Sequence, residues 1–332
     1  MKAIVCHSFG PHDALSLEPV DAAPMGPFGV RIQVEYAGVN FPDIVLVAGK
    51  YHWKPSFPFV PGLECAGVVT EVGSQVAHVK AGDRVLATTD PKFITQTGRG
   101  SFAEEVMAQA SQTYVLPPGI SFADAAAMGI TYGTSMHALA DRGKVQKGEF
   151  VLVLGAAGGI GLAAVDIARN YGVRIIAAAS NNAKLSLALR YGAHHGVNYG
   201  SEDIRARIDE ITEGHGVDVV VDPVGGDLFD KILKSMAWEG RLLTVGFAAG
   251  RIPCAPANLL LLKGCSVMGV NWGEFARGNP RGNSKNFDTL FSLHSQGKLK
   301  PHISAEYGLG NFQQAFDSLV QRQATGKLLI RF

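Results

Sequence analysis

The residues Gly155-Ala-Ala-Gly-Gly-Ile-Gly161 have the types and spacing of a phosphate cradle. They follow the apolar run Val151-Leu-Val-Leu154 and open a segment with helical spacing from Ile160 to Asn170. Strand, glycine turn and helix in that order expose backbone amides to an anion. Gly158 and Gly161 carry no Cβ, so the chain can approach a pyrophosphate closely and the helix can pack on its strand. The amides at Gly159 and Ile160, at the helix start, then face the negative charge. A tight turn can have the same composition, so the next segment decides between the two. It is a second apolar run, Arg174-Ile-Ile-Ala-Ala-Ala179, at the distance expected for the next parallel strand. The chain therefore reads as a dinucleotide-binding βαβ unit.

The end of that second strand bears on which dinucleotide is bound. A site selective for NADH usually places Asp or Glu there, where the carboxylate accepts from the ribose hydroxyls and repels a 2′-phosphate. This chain has Ser180-Asn-Asn-Ala-Lys184, and no acidic residue occurs between Gly172 and Gly200. Ser180 and Asn181 could also serve simply as helix caps. The missing acid points to NADPH.

The elements that must position these residues follow an α/β pattern. From Met1 to about Phe122, short apolar or alternating runs such as Val30–Tyr36, Gly67–Val72 and Arg84–Ala87 are separated by Gly and Pro, which predicts a β-rich, barrel-like domain. Ala-rich helical spacing takes over between Ser121 and Gly143. Beyond the βαβ unit the spacing predicts helices over Ala183–Tyr191, Asp203–Thr212 and Leu228–Met236. The strands it predicts are near Gly196–Asn198, at Val217–Asp222, at Arg241–Gly246 and at Cys265–Val270. Such alternation implies a parallel sheet with helices on both faces. Helices over Asn286–Gly297 and Phe312–Gln321 and a strand over Lys327–Arg331 close the chain.

Composition limits the partners. The 332 residues are 47% hydrophobic and 18% charged, enough to bury about two domain cores. A formal net charge of +1, with scattered Lys and Arg, offers no field for a nucleic acid. No apolar run approaches the roughly 20 residues of a membrane span, and Met1–Cys6 opens no long apolar stretch, so a cytoplasmic protein with no membrane contact is expected. Cys6, Cys65, Cys254 and Cys265 lie far apart, which reads as reduced, mostly buried thiols.

Ala37-Gly-Val-Asn-Phe-Pro-Asp43, Pro61-Gly-Leu-Glu-Cys-Ala-Gly67, Gly82-Asp-Arg-Val85, the glycine loop, Asp222-Pro-Val-Gly-Gly226 and Gly269-Val-Asn-Trp272 stand in this order along the chain. Together they resemble the zinc-free quinone oxidoreductase branch of the medium-chain dehydrogenase/reductase family, over essentially the whole length. The resemblance implies an α/β protein with a β-rich GroES-like catalytic domain at 1–125 and 272–332. A doubly wound, Rossmann-type NADPH-binding domain would be inserted at 126–271. The alcohol-dehydrogenase relatives have a Cys where this chain has Asn40 and a His where it has Leu63, and their four-cysteine structural site falls in Thr89–Ser101, which contains no cysteine. Neither Asn nor Leu can act as the thiolate or imidazole that zinc prefers, so no metal is expected.

By the same resemblance, Asn40 and Tyr51 line the cleft near the nicotinamide, the amide as a donor to a carbonyl oxygen and the phenol as a donor of a hydrogen bond or a proton. Asp43 reads equally well as a structural acid at a helix start. Thr131 is expected to face the nicotinamide. Ser180, Lys184 and Tyr199 would meet the 2′-phosphate, while Phe247, Asn271 and Trp272 end the fifth and sixth strands, where ligands of open α/β sheets lie. The expected activity is hydride transfer from NADPH to a small-molecule acceptor, a quinone or similar conjugated carbonyl. Reduction of an enoyl thioester or another activated alkene is the alternative, and a nucleotide-binding protein without significant turnover is a third. The sixth strand, apolar and at a sheet edge, predicts a homodimer.

Overall fold

The computed structural model describes every residue from Met1 to Phe332 and divides into two compact units, Thr131–Trp272 and Met1–Ile130 with Gly273–Phe332. This division and the one expected after Ala125 both fall within one continuous helix, Phe122–Met136.

In the unit Thr131–Trp272, six strands form one parallel sheet. Its order is His195–Asn198, Arg174–Ala179, Phe150–Leu154, Val217–Asp222, Met236–Thr244 and Ser266–Gly269. Numbered along the chain this is 3-2-1-4-5-6, so the order reverses between the first and fourth strands. Both of these central strands are buried on both faces, which is why they read as unbroken apolar runs rather than alternating ones. The last strand, Ser266–Gly269, lies at an edge and is half-exposed. Residues Phe229, Ile232, Leu233, Ile204 and Ile208 cover one face of the sheet as a single cluster.

In the other unit, Gly29–Val39 is the central strand. It pairs antiparallel with Glu64–Val72, Glu105–Gln109 and Lys327–Arg331 in a seven-stranded sheet. The core behind it is built on Ile4, Ile32, Phe59, Phe102 and Phe316, all fully buried. The register brings distant residues side by side. Val39 faces Leu328 on one neighbour, and Ala37 faces Cys65 on the other. Asn40, Glu64 and Lys327 therefore lie at the same end of three adjacent strands.

Several boundaries differ from the sequence expectation. Met236 starts a strand instead of ending a helix, because the preceding helix stops at Leu233. The helix expected from Asn286 begins at Pro280, where Asn279 Oδ1 accepts from the Gly282 amide at 3.0 Å. Two short helices, Phe41–Val47 and Pro91–Thr97, escape periodicity analysis because seven residues make only about two turns. No helix is long and apolar enough to cross a membrane.

Candidate functional site

The glycine loop sits at the C-terminal end of the first strand of the parallel sheet, beside the point where strand order reverses. Ligands of open α/β sheets bind at such points. Gly155 adopts φ +58°, which favours glycine. A methyl group on Gly161 would overlap the Gly155 carbonyl and come within 2.8 Å of Ala156 Cα, so the helix Gly159–Ala168 can start this close to its strand only with glycine there. At Gly158 such a methyl would meet one atom, the Gly155 carbonyl oxygen at 3.3 Å, a tight contact without overlap. The first amides of the helix have no partner within it, and Gly158, Gly159 and Ile160 are half-buried. Ser135 Oγ donates to the Ile160 carbonyl at 3.1 Å, bringing the second half of the helix Phe122–Met136 against the loop. Thr131, on that helix, is buried, with 5% of its surface exposed.

Ser180 follows the second strand and is exposed, whereas Tyr199 follows the third strand and is half-buried. These strand ends are adjacent: the Tyr199 amide donates to the Ala179 carbonyl at 3.1 Å. Lys184, half-buried, lies in the first turn of the helix Asn182–Arg190. That helix is capped by Asn181, whose Oδ1 accepts from the Lys184 amide at 2.9 Å, so Ser180 is not the cap. The structure thus brings Ser180, Lys184 and Tyr199 together around one pair of strand ends. Phe247 and Asn271, at the ends of the fifth and sixth strands, are exposed. Trp272 is not open to a ligand in the same way. It is 7% exposed, and its ring covers Gly133, where a methyl group would come within 2.8 Å of the indole.

In the other unit the polar residues near Asn40 are committed to one another. Asn40 Nδ2 donates to the Gly38 carbonyl at 3.1 Å and to Glu64 Oε1 at 2.7 Å, which uses both amide hydrogens. Both hydrogens of the Asn40 amide, which the resemblance assigns to a substrate carbonyl, are thus held within the protein. Lys327 Nζ donates to Asn40 Oδ1 and to Glu64 Oε1. Glu64 Oε2 accepts from the Ile130 amide at 2.6 Å, and Asp43 Oδ2 accepts from the Asn40 amide at 2.8 Å. Glu64 and Asp43 are fully buried and Lys327 is 3% exposed. Burial pushes the Asp43 carboxyl up to about 7, with the Lys327 charge pulling it down and the Glu64 charge adding to the rise. Leu63, the other position that distinguishes this chain from the zinc-dependent pattern, is buried beside them. No three His, Cys, Asp or Glu side chains are grouped so as to hold a metal ion.

Tyr51 is half-buried, stacked on His52 with ring centroids 4.5 Å apart. Burial raises its phenol above the ordinary range, and the Asp90 charge adds to this, so the hydroxyl stays protonated at neutral pH. Asp90 in turn caps the helix Pro91–Thr97 and pairs with Arg277 at 2.9 Å. Sequence reasoning missed Lys327 and the Asp90–Arg277 pair. A lysine opening the apolar strand Lys327–Arg331 was one available signal, and an Asp just before Pro91 was another.

The fold and this arrangement of residues define a two-unit, nicotinamide-type dehydrogenase or reductase. Residues 26–118 match the model of the alcohol dehydrogenase GroES-like domain, and residues 159–290 match that of the zinc-binding dehydrogenase family. A quinone oxidoreductase-like protein 2 homolog from Nematostella vectensis is 40% identical, with 99% of this chain and 88% of that protein aligned. A quinone oxidoreductase from Homo sapiens is 31% identical over 99% of this chain and 97% of its own. Among solved structures, Escherichia coli quinone oxidoreductase complexed with NADPH superimposes with a TM-score of 0.90 at 28% identity, covering all of both chains. This chain belongs to the quinone oxidoreductase-like members of the medium-chain dehydrogenase/reductase family and is an oxidoreductase.

Proposed function

We propose that this enzyme reduces a conjugated carbonyl acceptor, foremost a quinone, with hydride from NADPH and without zinc. The observation that carries the reading is the gathering of Ser180, Lys184 and Tyr199 at adjacent strand ends, one strand from an intact glycine loop, with no carboxylate on the segment Ser180–Lys184 that follows the second strand; Glu202, at the end of the third strand, is engaged with the Asn198 amide at 2.6 Å. A hydroxyl, an ammonium and a phenol suit a 2′-phosphate and have no counterpart to an acid that would select NADH. The amides at Gly159, Ile160 and Gly161 would hold the pyrophosphate, Gly158, whose own amide donates to the Gly155 carbonyl at 2.9 Å, would let the backbone approach it, Thr131 would face the nicotinamide, and Phe247 and Asn271 would border the cofactor. Trp272 supports this edge by packing on Gly133.

The bound nicotinamide supplies the hydride, and a quinone that takes it up with one proton leaves as the hydroquinone. The chain's own contribution is orientation and a hydrogen bond to the oxygen that gains charge. Tyr51, kept protonated, is the donor for that oxygen. Asn40, held from both ends of its amide, shapes the wall beside it. Leu63 and Asn40 cannot ligate zinc, and the Lys327 ammonium already supplies positive charge against Glu64, which supports metal-independent chemistry. Reduction of an activated alkene is the second reading, favoured by the same phenol, because a proton must then reach carbon.

An assay of NADPH and NADH consumption against quinones, enones and enoyl thioesters tests the function. Turnover of a quinone with NADPH is the expected result. Turnover confined to enoyl thioesters would replace the reading by the second, and no turnover of any acceptor would defeat both. We further propose a homodimer formed through the edge strand Ser266–Gly269, beside which Trp238, Leu261 and Leu262 are each more than 70% exposed. Sedimentation at micromolar concentration should give twice the chain mass, and Leu261→Glu should return it to the monomer; a monomeric wild type would refute the proposal.

A further inference from the structure

The Lys327–Glu64 pair does more than neutralise a buried charge. Glu64 reaches into the helix Phe122–Met136 and takes the amide of Ile130 at 2.6 Å on Oε2, while Oε1 is held by Lys327 and Asn40. Two glycines clear the way: a methyl group on Gly129 would come within 2.5 Å of Glu64 Oε2, and one on Gly38 would overlap Oε1 and lie 2.7 Å from Lys327 Cε. Neither glycine has a positive φ, so space and not backbone conformation is what they provide. The next residue of the helix after Ile130 is Thr131.

We propose that Lys327 and Glu64 are positioning residues for the cofactor: by fixing the helix backbone at Ile130, they set where Thr131 presents itself to the nicotinamide. This rests on the reading of Thr131 given under the proposed function. Lys327 acts through Glu64, holding it aimed at the amide, and Asn40 locks the rotamer. An apolar pair of similar volume would fill the space equally well and avoid the desolvation of two charges. What it would lack is an acceptor for the Ile130 amide.

Two double variants separate positioning from plain stabilisation. Single substitutions strand a buried charge and are expected to melt far below the wild type, so they decide nothing. E64L/K327M removes both charges and the acceptor. E64Q/K327M removes both charges but keeps a carbonyl for the Ile130 amide; its new NH2 stands where Oε1 faced Asn40 Nδ2, so the Asn40 amide, released by the loss of Lys327, turns over to present Oδ1 to it. Both doubles should fold, with melting temperatures close to each other. In the protein without nucleotide, hydrogen exchange in the segment around Gly129–Thr131 should be faster in E64L/K327M alone. Its dissociation constant for NADPH should rise about tenfold, the factor one hydrogen bond can carry, with E64Q/K327M staying near wild type.

Equal exchange in the two doubles would overturn the hold on Ile130. Faster exchange with unchanged NADPH affinity would overturn the link to the cofactor. A wild type that binds neither NADPH nor NADH would instead defeat the functional reading itself, and the positioning role with it.

Discussion

In the unit Thr131–Trp272 the groups proposed to meet the cofactor are backbone amides and residues at strand ends, set by the sheet and nearly independent of one another. In the unit that carries Tyr51 the polar groups are side chains from three strands and two helices, and each depends on the others. Gly158, Gly159, Ile160 and Gly161 need only the strand Phe150–Leu154 and the helix Gly159–Ala168 to be in place. Asn40, by contrast, is where it is because Lys327, Glu64 and Asp43 all hold it. A site made of backbone tolerates changes in its surroundings. One made of buried charges couples stability, pH and geometry.

That contrast is tested most strongly at Asp43. Its carboxyl titrates near 7 in the folded chain against an ordinary 3.8, so between those values the folded chain binds a proton that the unfolded chain has released. The contribution is fully present below pH 3.8 and is lost as pH rises through about 7. By the linkage relation it amounts to on the order of 4 kcal/mol. Asp43→Asn keeps an acceptor for the Asn40 amide and should lose most of this slope, ending more stable than the wild type above pH 7. Urea unfolding at pH 5 and pH 8.5 measures it. Parallel pH profiles for the two proteins would show that the buried network does not govern the stability of this unit.

The next effect belongs to Tyr51. If its phenol delivers a proton to carbon, Tyr51→Phe should slow enone turnover by roughly 10² or more, the usual size of a general-acid contribution, and leave quinone turnover much less affected. Equal, small losses on both acceptors would make Tyr51 a packing residue. In the other unit, Gly161→Ala places a methyl against the Gly155 carbonyl and should destabilise the protein by about 1–3 kcal/mol, as overpacking does. Gly158→Ala brings its methyl 3.3 Å from the Gly155 carbonyl oxygen, tight but without overlap, and should destabilise the protein less than Gly161→Ala while binding NADPH more weakly. If both alanine variants melted alike, the loop would be less tightly built than its contacts indicate.

The same contrast explains what could be read from the sequence. The phosphate loop, the parallel strands and the position of Ser180 and Lys184 were legible because they are local: glycine spacing, apolar runs and the missing acid between Gly172 and Gly200 all lie within one stretch of chain. The strand Arg174–Ala179 falls where its apolar run does. Lys327 and Glu64 are 263 positions apart and meet only through the register of two neighbouring strands on Gly29–Val39, which no periodicity reveals. For Asn40 the resemblance suggested a donor, whereas the folded chain spends both amide hydrogens internally. Trp272 read as a strand-end ligand group, but the absence of a side chain at Gly133 provides the surface on which its ring is buried.

Lys184 is where the second unit departs from pure backbone recognition, and its effect is the smallest and the most specific. The helix Asn182–Arg190 already has a cap in Asn181, so the local turn does not need the Lys184 side chain in order to form. Lys184→Ala therefore should fold and melt like the wild type. A charge-assisted hydrogen bond contributes roughly 1.5 to 3 kcal/mol, so the variant should bind NADPH about tenfold to a hundredfold more weakly. NADH, which has no 2′-phosphate, should bind as before. Raising the salt concentration should reduce the wild-type preference for NADPH and leave the variant's weaker preference nearly flat, because the lost contact is the screened one. The measurement is the dissociation constant of each nucleotide, for both proteins, at two fixed ionic strengths. Equal weakening toward NADPH and NADH would place Lys184 in the general support of the nucleotide, and equal wild-type affinity for the two would remove the 2′-phosphate from the recognition altogether.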